Sequence, residues 1–265
     1  MNEPDYRHTY AAPQPLERAD FDDSGIDGYL GQALSRPASH VTLWLGNAWA
    51  IFKQQPLLWI GAGLFHIIIS LVLPYIPLIG SLLQIFAALF LGAGFAYAAA
   101  QVEYHDRFDF GDIFAGFQHN MGNLAILALL SLLFIVVEII VLGLVLLIVV
   151  GGLGIAMGGS SALTEGFGIG VGLGVILLFT LALIPYIALF YLAPALVLLQ
   201  NETPLRAIAL SWQAFIRNFG GAVLCALLMA VLMLVALIPL GLGLLVAIPL
   251  TLILPYVIYR DLFFE

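Results

Sequence analysis

Glu138 is the one acidic residue well inside a long apolar run of this chain, and His66 and Gln84 bring polar groups into two other such runs. A charge at that depth in hydrocarbon costs at least about 2.5 kcal/mol, so an acid there must be protonated, paired or facing water. Three readings of Glu138 follow: a polar clasp between helices, a proton or substrate site, or a residue nearer the outer boundary because its long helix tilts or slides. Counting about 1.5 Å per residue from Asn123 puts Glu138 about 22 Å deep, and counting back from the far edge at Gly80 puts Gln84 nearly level with it. The sequence therefore predicts a hydrogen bond between Gln84 and Glu138. By the same count His66 lies about a turn and a half away, and it reads more simply as a satisfied core histidine.

Other chemistry is excluded residue by residue. No two histidines have the spacing of a metal motif, and the Asp106, Asp109 and Asp112 cluster lacks the calcium-loop pattern. No Ser-His-Asp or Cys-His arrangement is legible, so no catalytic residue is assigned and the chain is not expected to be an enzyme. Gly168, Gly170, Gly172 and Gly174 have neither the dinucleotide spacing nor a following Lys-Ser/Thr, and read instead as a small-residue helix face. The single cysteine, Cys225, forms no intrachain disulfide and reads as a small buried hydrophobe. Basic residues are too few and scattered for nucleic acid, and no cofactor or metal is implied.

The elements that must carry these residues follow from composition. Of 265 residues, 63% are hydrophobic and 9% charged, against about 25% charged in a soluble domain. With a mean hydropathy of +1.10, that much apolar surface has no place in water. Six spans are predicted, at about 57–73, 81–101, 123–147, 169–192, 222–238 and 242–259, with Pro185 and Pro194 as kink or exit points. The fold class is an all-α integral membrane protein: three helical hairpins, each preceded by an amphipathic interfacial helix. Residues 1–38, mixing Pro, Asp, Glu and Arg without periodicity, read as a disordered acidic cytoplasmic tail without the features of a signal peptide, and as a possible docking segment for a basic partner. Residues 39–265 are the membrane domain. The glycine-rich 151–168 reads as a flexible outer loop.

Three amphipathic stretches share a pattern: Trp49-x-x-Phe52-x-x-Gln55, Phe114-x-x-Phe117-x-x-Asn120 and Trp212-x-x-Phe215-x-x-Asn218. Two aromatics one helical turn apart suit the lipid boundary, and the amide that follows is expected to stay wet where the chain bends inward. Thr203 is expected to cap the third of these helices, with Pro204 opening it. With six spans, Arg7, Arg18, Arg36, Lys53, Arg107, Arg206, Arg217 and Arg260, all the basic residues, fall on the side of the N-terminus. The positive-inside rule makes that side cytoplasmic, with both termini there.

Trp44 with Ala48-Trp49, Phe52, Pro56 and Trp59, then Ile76-Pro-x-x-Gly80, Ala193-Pro-Ala-Leu-Val197, Ala207 with Ser211 and Asn218, and Tyr259-Arg-Asp-Leu-Phe263 resemble a group of uncharacterised bacterial six-span inner-membrane proteins. The pattern is also similar to the membrane portion of some glycerophosphodiester phosphodiesterases, here without the catalytic domain. The resemblance covers about residues 41–263 and implies a multi-pass protein of the bacterial inner membrane, with no established activity. The functional expectation is a non-enzymatic scaffold or lipid-interacting protein whose partners are the bilayer and a possible membrane or cytoplasmic protein. The alternative is a small-molecule or lipid transporter with Glu138 in its pathway.

Overall fold

The computed structural model describes residues 28–156 and 165–265. Proline and left-handed turns punctuate a chain that is otherwise helical, with no strand among the described residues. Helix α1 (His40–Gln54) stops where Pro56 opens α2 (Pro56–Val72), since proline disfavours a helical residue before it and suits the first helical position. A 3₁₀ turn at Leu73–Tyr75 leads to α3 (Gly80–His105), which ends on Asp106 in the left-handed region at φ 50°.

Asp109 and Asp112 then form a reciprocal capping box at the start of a 3₁₀ turn, Phe110–Phe114, followed by the short α4 (Ala115–Gln118). Burial pushes the Asp112 carboxyl above its usual range. Helix α5 (Met121–Ala156) and α6 (Glu165–Phe190) follow, the latter with Pro185 inside it. The chain breaks at residues 191–192 before α7 (Ala193–Leu199), with Pro194 in its first turn. Helices α8 (Pro204–Arg217), α9 (Phe219–Leu237) and α10 (Leu244–Phe263) complete the order.

Six of these segments are long and apolar enough to cross a membrane: Pro56–Tyr75, Gly80–His105, Met121–Val149, Gly174–Leu199, Phe219–Leu237 and Leu244–Phe263. They match the six spans read from hydropathy. Helices α3 and α10 are the most buried and form the centre, packing on each other. Helix α1 lies along α10, α2 also leans chiefly on α10, and α7 packs on α3. A Cβ at Gly94 would sit 1.9 Å from the Ile113 carbonyl oxygen, and one at Gly116 would sit 2.4 Å from that of Phe90. The 110–118 segment thus lies backbone to backbone against α3, an approach only glycine permits.

Several expectations are corrected here. Residues 28–38 are not a solvated tail: Leu30 and Leu34 donate backbone hydrogen bonds to Phe263 and Leu262 at the end of α10. Residues 1–27 lie outside the described residues. The expected outer loop at 151–168 is helical at Gly151–Ala156 and again from Glu165, because extending an existing helix costs less than ending it and membrane helices tolerate glycine; residues 157–164 lie outside the described residues. Cβ atoms at Gly172 and Gly174 would meet nothing within 4 Å among the described residues, so these two glycines make no close approach to a described helix; the surroundings of Gly168 and Gly170 lie outside what is described. Thr203 precedes α8 in extended conformation without a side-chain capping bond.

Candidate functional site

The polar chemistry of the described residues gathers at the end of the bundle where α10 finishes. Asp261, with 4% of its side chain exposed, is its centre. Its Oδ2 accepts from the Trp44 indole N–H at 2.8 Å and lies 3.0 Å from His40 Nδ1, while Arg36 Nε stands 3.6 Å from Oδ1. Arg36 also donates to the backbone carbonyls of Asp261 and Phe264, both at 3.0 Å. One carboxylate so joins α1, α10 and the 28–38 strap, and its buried charge is met by directional donors.

One residue earlier, Arg260 pairs with Glu103 at the end of α3, and its guanidinium lies 5.1 Å from the centre of the Tyr104 ring. Tyr256 donates to the other Glu103 oxygen at 2.6 Å. Tyr259 is bonded by Gln200 after α7. Tyr29 donates to Glu202 at 2.9 Å, and Arg206 pairs with the same carboxylate at 3.0 Å. Burial, then the Glu202 carboxylate, raises the Tyr29 hydroxyl above its usual range.

The strap is held from the other side by α8 and the residue after it. Ala33 donates to Gln213 at 2.9 Å and accepts from Arg217, and Arg36 N–H donates to Asn218 Oδ1 at 2.7 Å. Asn218 Nδ2 in turn donates to the Leu34 and Ala214 carbonyls, each at 2.9 Å. The expectation that the three repeated amides stay wet is overturned for Asn218, which is buried, and revised for the other two. Gln55 donates to the Asp106 carbonyl at 3.2 Å, and Asn120 donates to the Val197 carbonyl and to Asn201, both at 2.8 Å. Each amide reaches a backbone carbonyl of a different neighbouring segment, so the shared spacing serves as three cross-links.

A pocket of about 220 Å³ opens beside this network between α1, α3 and α10, lined by Asn47, Gln54, Glu103, Val257, Arg260 and Asp261. Its charged walls already pair within the protein and the Gln54 amide donates to the Val102 carbonyl and the Asp106 carboxylate, both at 3.2 Å, which leaves the Asn47 amide to offer hydrogen bonds to a small polar group. Among the described residues no group of three His, Cys, Asp or Glu is arranged to hold a metal ion.

The intramembrane candidates are not brought together. Gln84 Oε1 and His66 Nδ1 are buried without hydrogen-bond partners, as is Trp59 Nε1. The expected bond between Gln84 and Glu138 therefore does not form: equal depth fixes height along a helix, not rotation about it. Instead of being a satisfied core histidine, His66 sets its ring edge-on to Phe95 at 5.6 Å. Of the expected interfacial anchors, Trp49, Phe117 and Trp212 are exposed, Phe114 and Phe215 are half-buried, and Phe52 is only 4% exposed. Phe52 stacks on Trp49 at 5.4 Å and belongs to the core, which corrects its assignment as an anchor.

Helix α8 shows the sorting most plainly. Ala207, Leu210, Ser211 and Ala214 face inward, whereas Leu205, Trp212 and Ile216 are exposed. Ser211 donates to the Ala188 carbonyl at 2.9 Å and lies 3.4 Å from the Leu192 N–H, so its hydroxyl fills the gap where the chain breaks between α6 and α7. Sequence reasoning missed the Asp261 and Arg260 networks. The adjacent Arg260-Asp261 in the last turn of an apolar helix is the available signal, but in the sequence it stands only as part of a terminal motif and as a positive charge. Compared with known proteins, the chain matches no family model, no curated protein and no solved structure.

Proposed function

We propose that this chain is a non-enzymatic scaffold or lipid-interacting protein of the bacterial inner membrane, akin to the six-span proteins its motifs resemble. Its three hairpins are each preceded by an amphipathic element at the cytoplasmic lipid boundary, and both termini are cytoplasmic. The observation that carries the reading is α8, which buries small residues and turns Leu205, Trp212 and Ile216 outward. A water-facing helix would do the opposite; a helix bedded in the headgroup boundary gains by exposing its large apolar side chains. Exposed Trp49, Phe110 and Phe117 on the other two elements support the same reading, and the polar residues of that end are occupied with one another.

Quenching by lipids brominated near the headgroup tests this in single-tryptophan variants of the full chain. Trp49 and Trp212 are expected to be strongly quenched and Trp44 weakly; equal quenching of all three would overturn the boundary assignment. Reporter fusions at Glu165 and Arg107 are expected in opposite compartments, with Arg107 cytoplasmic.

The alternative, a small-molecule or lipid transporter, is favoured by the unpartnered His66 Nδ1 and Gln84 Oε1 inside the spans. Flux into proteoliposomes that is substrate-specific and lost in Glu138→Ala would replace the scaffold reading with this one.

A further inference from the structure

The α1 wall of the pocket between α1, α3 and α10 is a single stripe, Asn47, Ile51 and Gln54, spaced at one helical turn. Three charged residues share the lining, and they are not equally open. Asp261 has 4% of its side chain exposed and Arg260 has 8%, whereas Glu103 at the end of α3 has 35%. The charge that a ligand meets there is therefore the Glu103 carboxylate. Arg260 pairs with one of its oxygens and the Tyr256 hydroxyl donates to the other. A carboxylate has about four lone-pair sites, so two donors leave acceptor capacity on its open edge.

The two amides add acceptors of the same kind. Both Gln54 N–H donors are spent, on the Val102 carbonyl and the Asp106 carboxylate, and the group it has left is its carbonyl oxygen. Asn47 is exposed and forms no hydrogen bond with a described residue, so its carbonyl is available as well. A carboxylate edge and two carbonyl oxygens call for a ligand that brings donors and positive charge. An anion would meet Glu103 first, and among the described residues no three His, Cys, Asp or Glu are arranged to hold a bare metal ion. A primary ammonium carries three N–H donors on one atom. Behind the acceptors the wall is apolar, with Ile51 and Val257 each 4% exposed. The volume of about 220 Å³ is many times the roughly 10–15 Å³ that one water needs, which leaves room for a short carbon chain on the nitrogen.

We propose that this pocket binds a primary ammonium group, held by Glu103, Asn47 and Gln54 and carried by a free small amine or by an aminophospholipid headgroup. This goes beyond the scaffold reading and stands apart from its quenching test, because Trp49 and Trp212 are not among the lining residues.

The test takes the full chain, purified in a maltoside detergent, through two arms whose ligands differ from their controls only in methylation of the nitrogen. In the first, titrations followed by nuclear magnetic resonance saturation transfer compare ethanolamine with choline, which keeps the charge and lacks N–H donors. In the second, native mass spectrometry compares retention of phosphatidylethanolamine with that of phosphatidylcholine bearing the same acyl chains. A preference of about tenfold or more for the primary ammonium is expected, the order that hydrogen bonds to charged groups supply. Preference in the first arm alone assigns a free amine and in the second alone a lipid headgroup, and either supports the proposal. Asn47→Leu, at a position without a hydrogen bond to any described residue, is expected to cut the preference by about threefold or more, and Glu103→Gln to abolish it. An unfolding midpoint matching the parent chain shows that Asn47→Leu is folded. Equal binding of methylated and unmethylated nitrogen in both arms, or a preference that both variants leave unchanged, overturns the proposal.

Discussion

The two ends of this molecule are held by different forces. At the end where α10 finishes, Asp261, Arg260, Gln200 and Asn218 tie α1, α3, α8, α10 and the 28–38 strap together by hydrogen bonds and ion pairs. At the other, α5 and α6 run on with side chains that pack on little but each other. In lipid, apolar contact between helices gains little over contact with acyl chains, so directional polar bonds carry more of the tertiary specificity. The contrast teaches that the structure is fixed from one side, while the opposite side turns its apolar faces outward.

Breaking the tied end should have the largest effect. Asp261→Ala leaves Arg36, His40 and the Trp44 indole without their shared acceptor and is expected to destabilise the protein by about 3–5 kcal/mol in detergent unfolding. Asp261→Asn should recover part of that loss by keeping an acceptor for Trp44. Glu103→Leu removes the carboxylate that pairs with Arg260 but is expected to cost less, about 1–3 kcal/mol, because Glu103 is a third exposed and water already screens the pair. A Glu103→Leu, Arg260→Met double variant should regain stability relative to Glu103→Leu in the same assay.

Smaller again is Asn218→Ala, expected to cost about 1–2 kcal/mol and to speed proteolytic cleavage within the strap as Leu34 and Arg36 lose their anchor. At the projecting end, Leu147→Ala, on a side chain 69% exposed, should shift unfolding by no more than about 0.5 kcal/mol. A cost there as large as that of Asn218→Ala would erase the contrast.

Hydropathy made the spans legible because crossing hydrocarbon is a demand on local composition: Leu57 to Leu73, or Ala222 to Ile238, satisfies it without reference to any neighbour. The repeated Gln55, Asn120 and Asn218 were visible as a spacing, and their partners were not. Asp106, Val197 and Leu34, whose carbonyls they reach, are separated from them by 51, 77 and 184 positions. The α8 face was legible as a stripe of large apolar residues, but which side met the protein depended on Ala207 and Ser211 fitting closely against α6 and α7. Glu138 stands out in the sequence as an acid within an apolar run, but its expected bond to Gln84 does not form, since depth is one coordinate and a contact needs three.

By itself, then, the sequence determined the number of apolar helices, their approximate limits and the punctuation between them, all consequences of short-range composition, proline geometry and the cost of burying charge. Only the tertiary structure decided that Asp261 is a hub, that residues 28–38 are a strap and that Glu138 stands without a hydrogen-bond or ion-pair partner among the described residues. Those outcomes depend on the rotation and lateral order of helices, which are set by mutual packing and long-range hydrogen bonds.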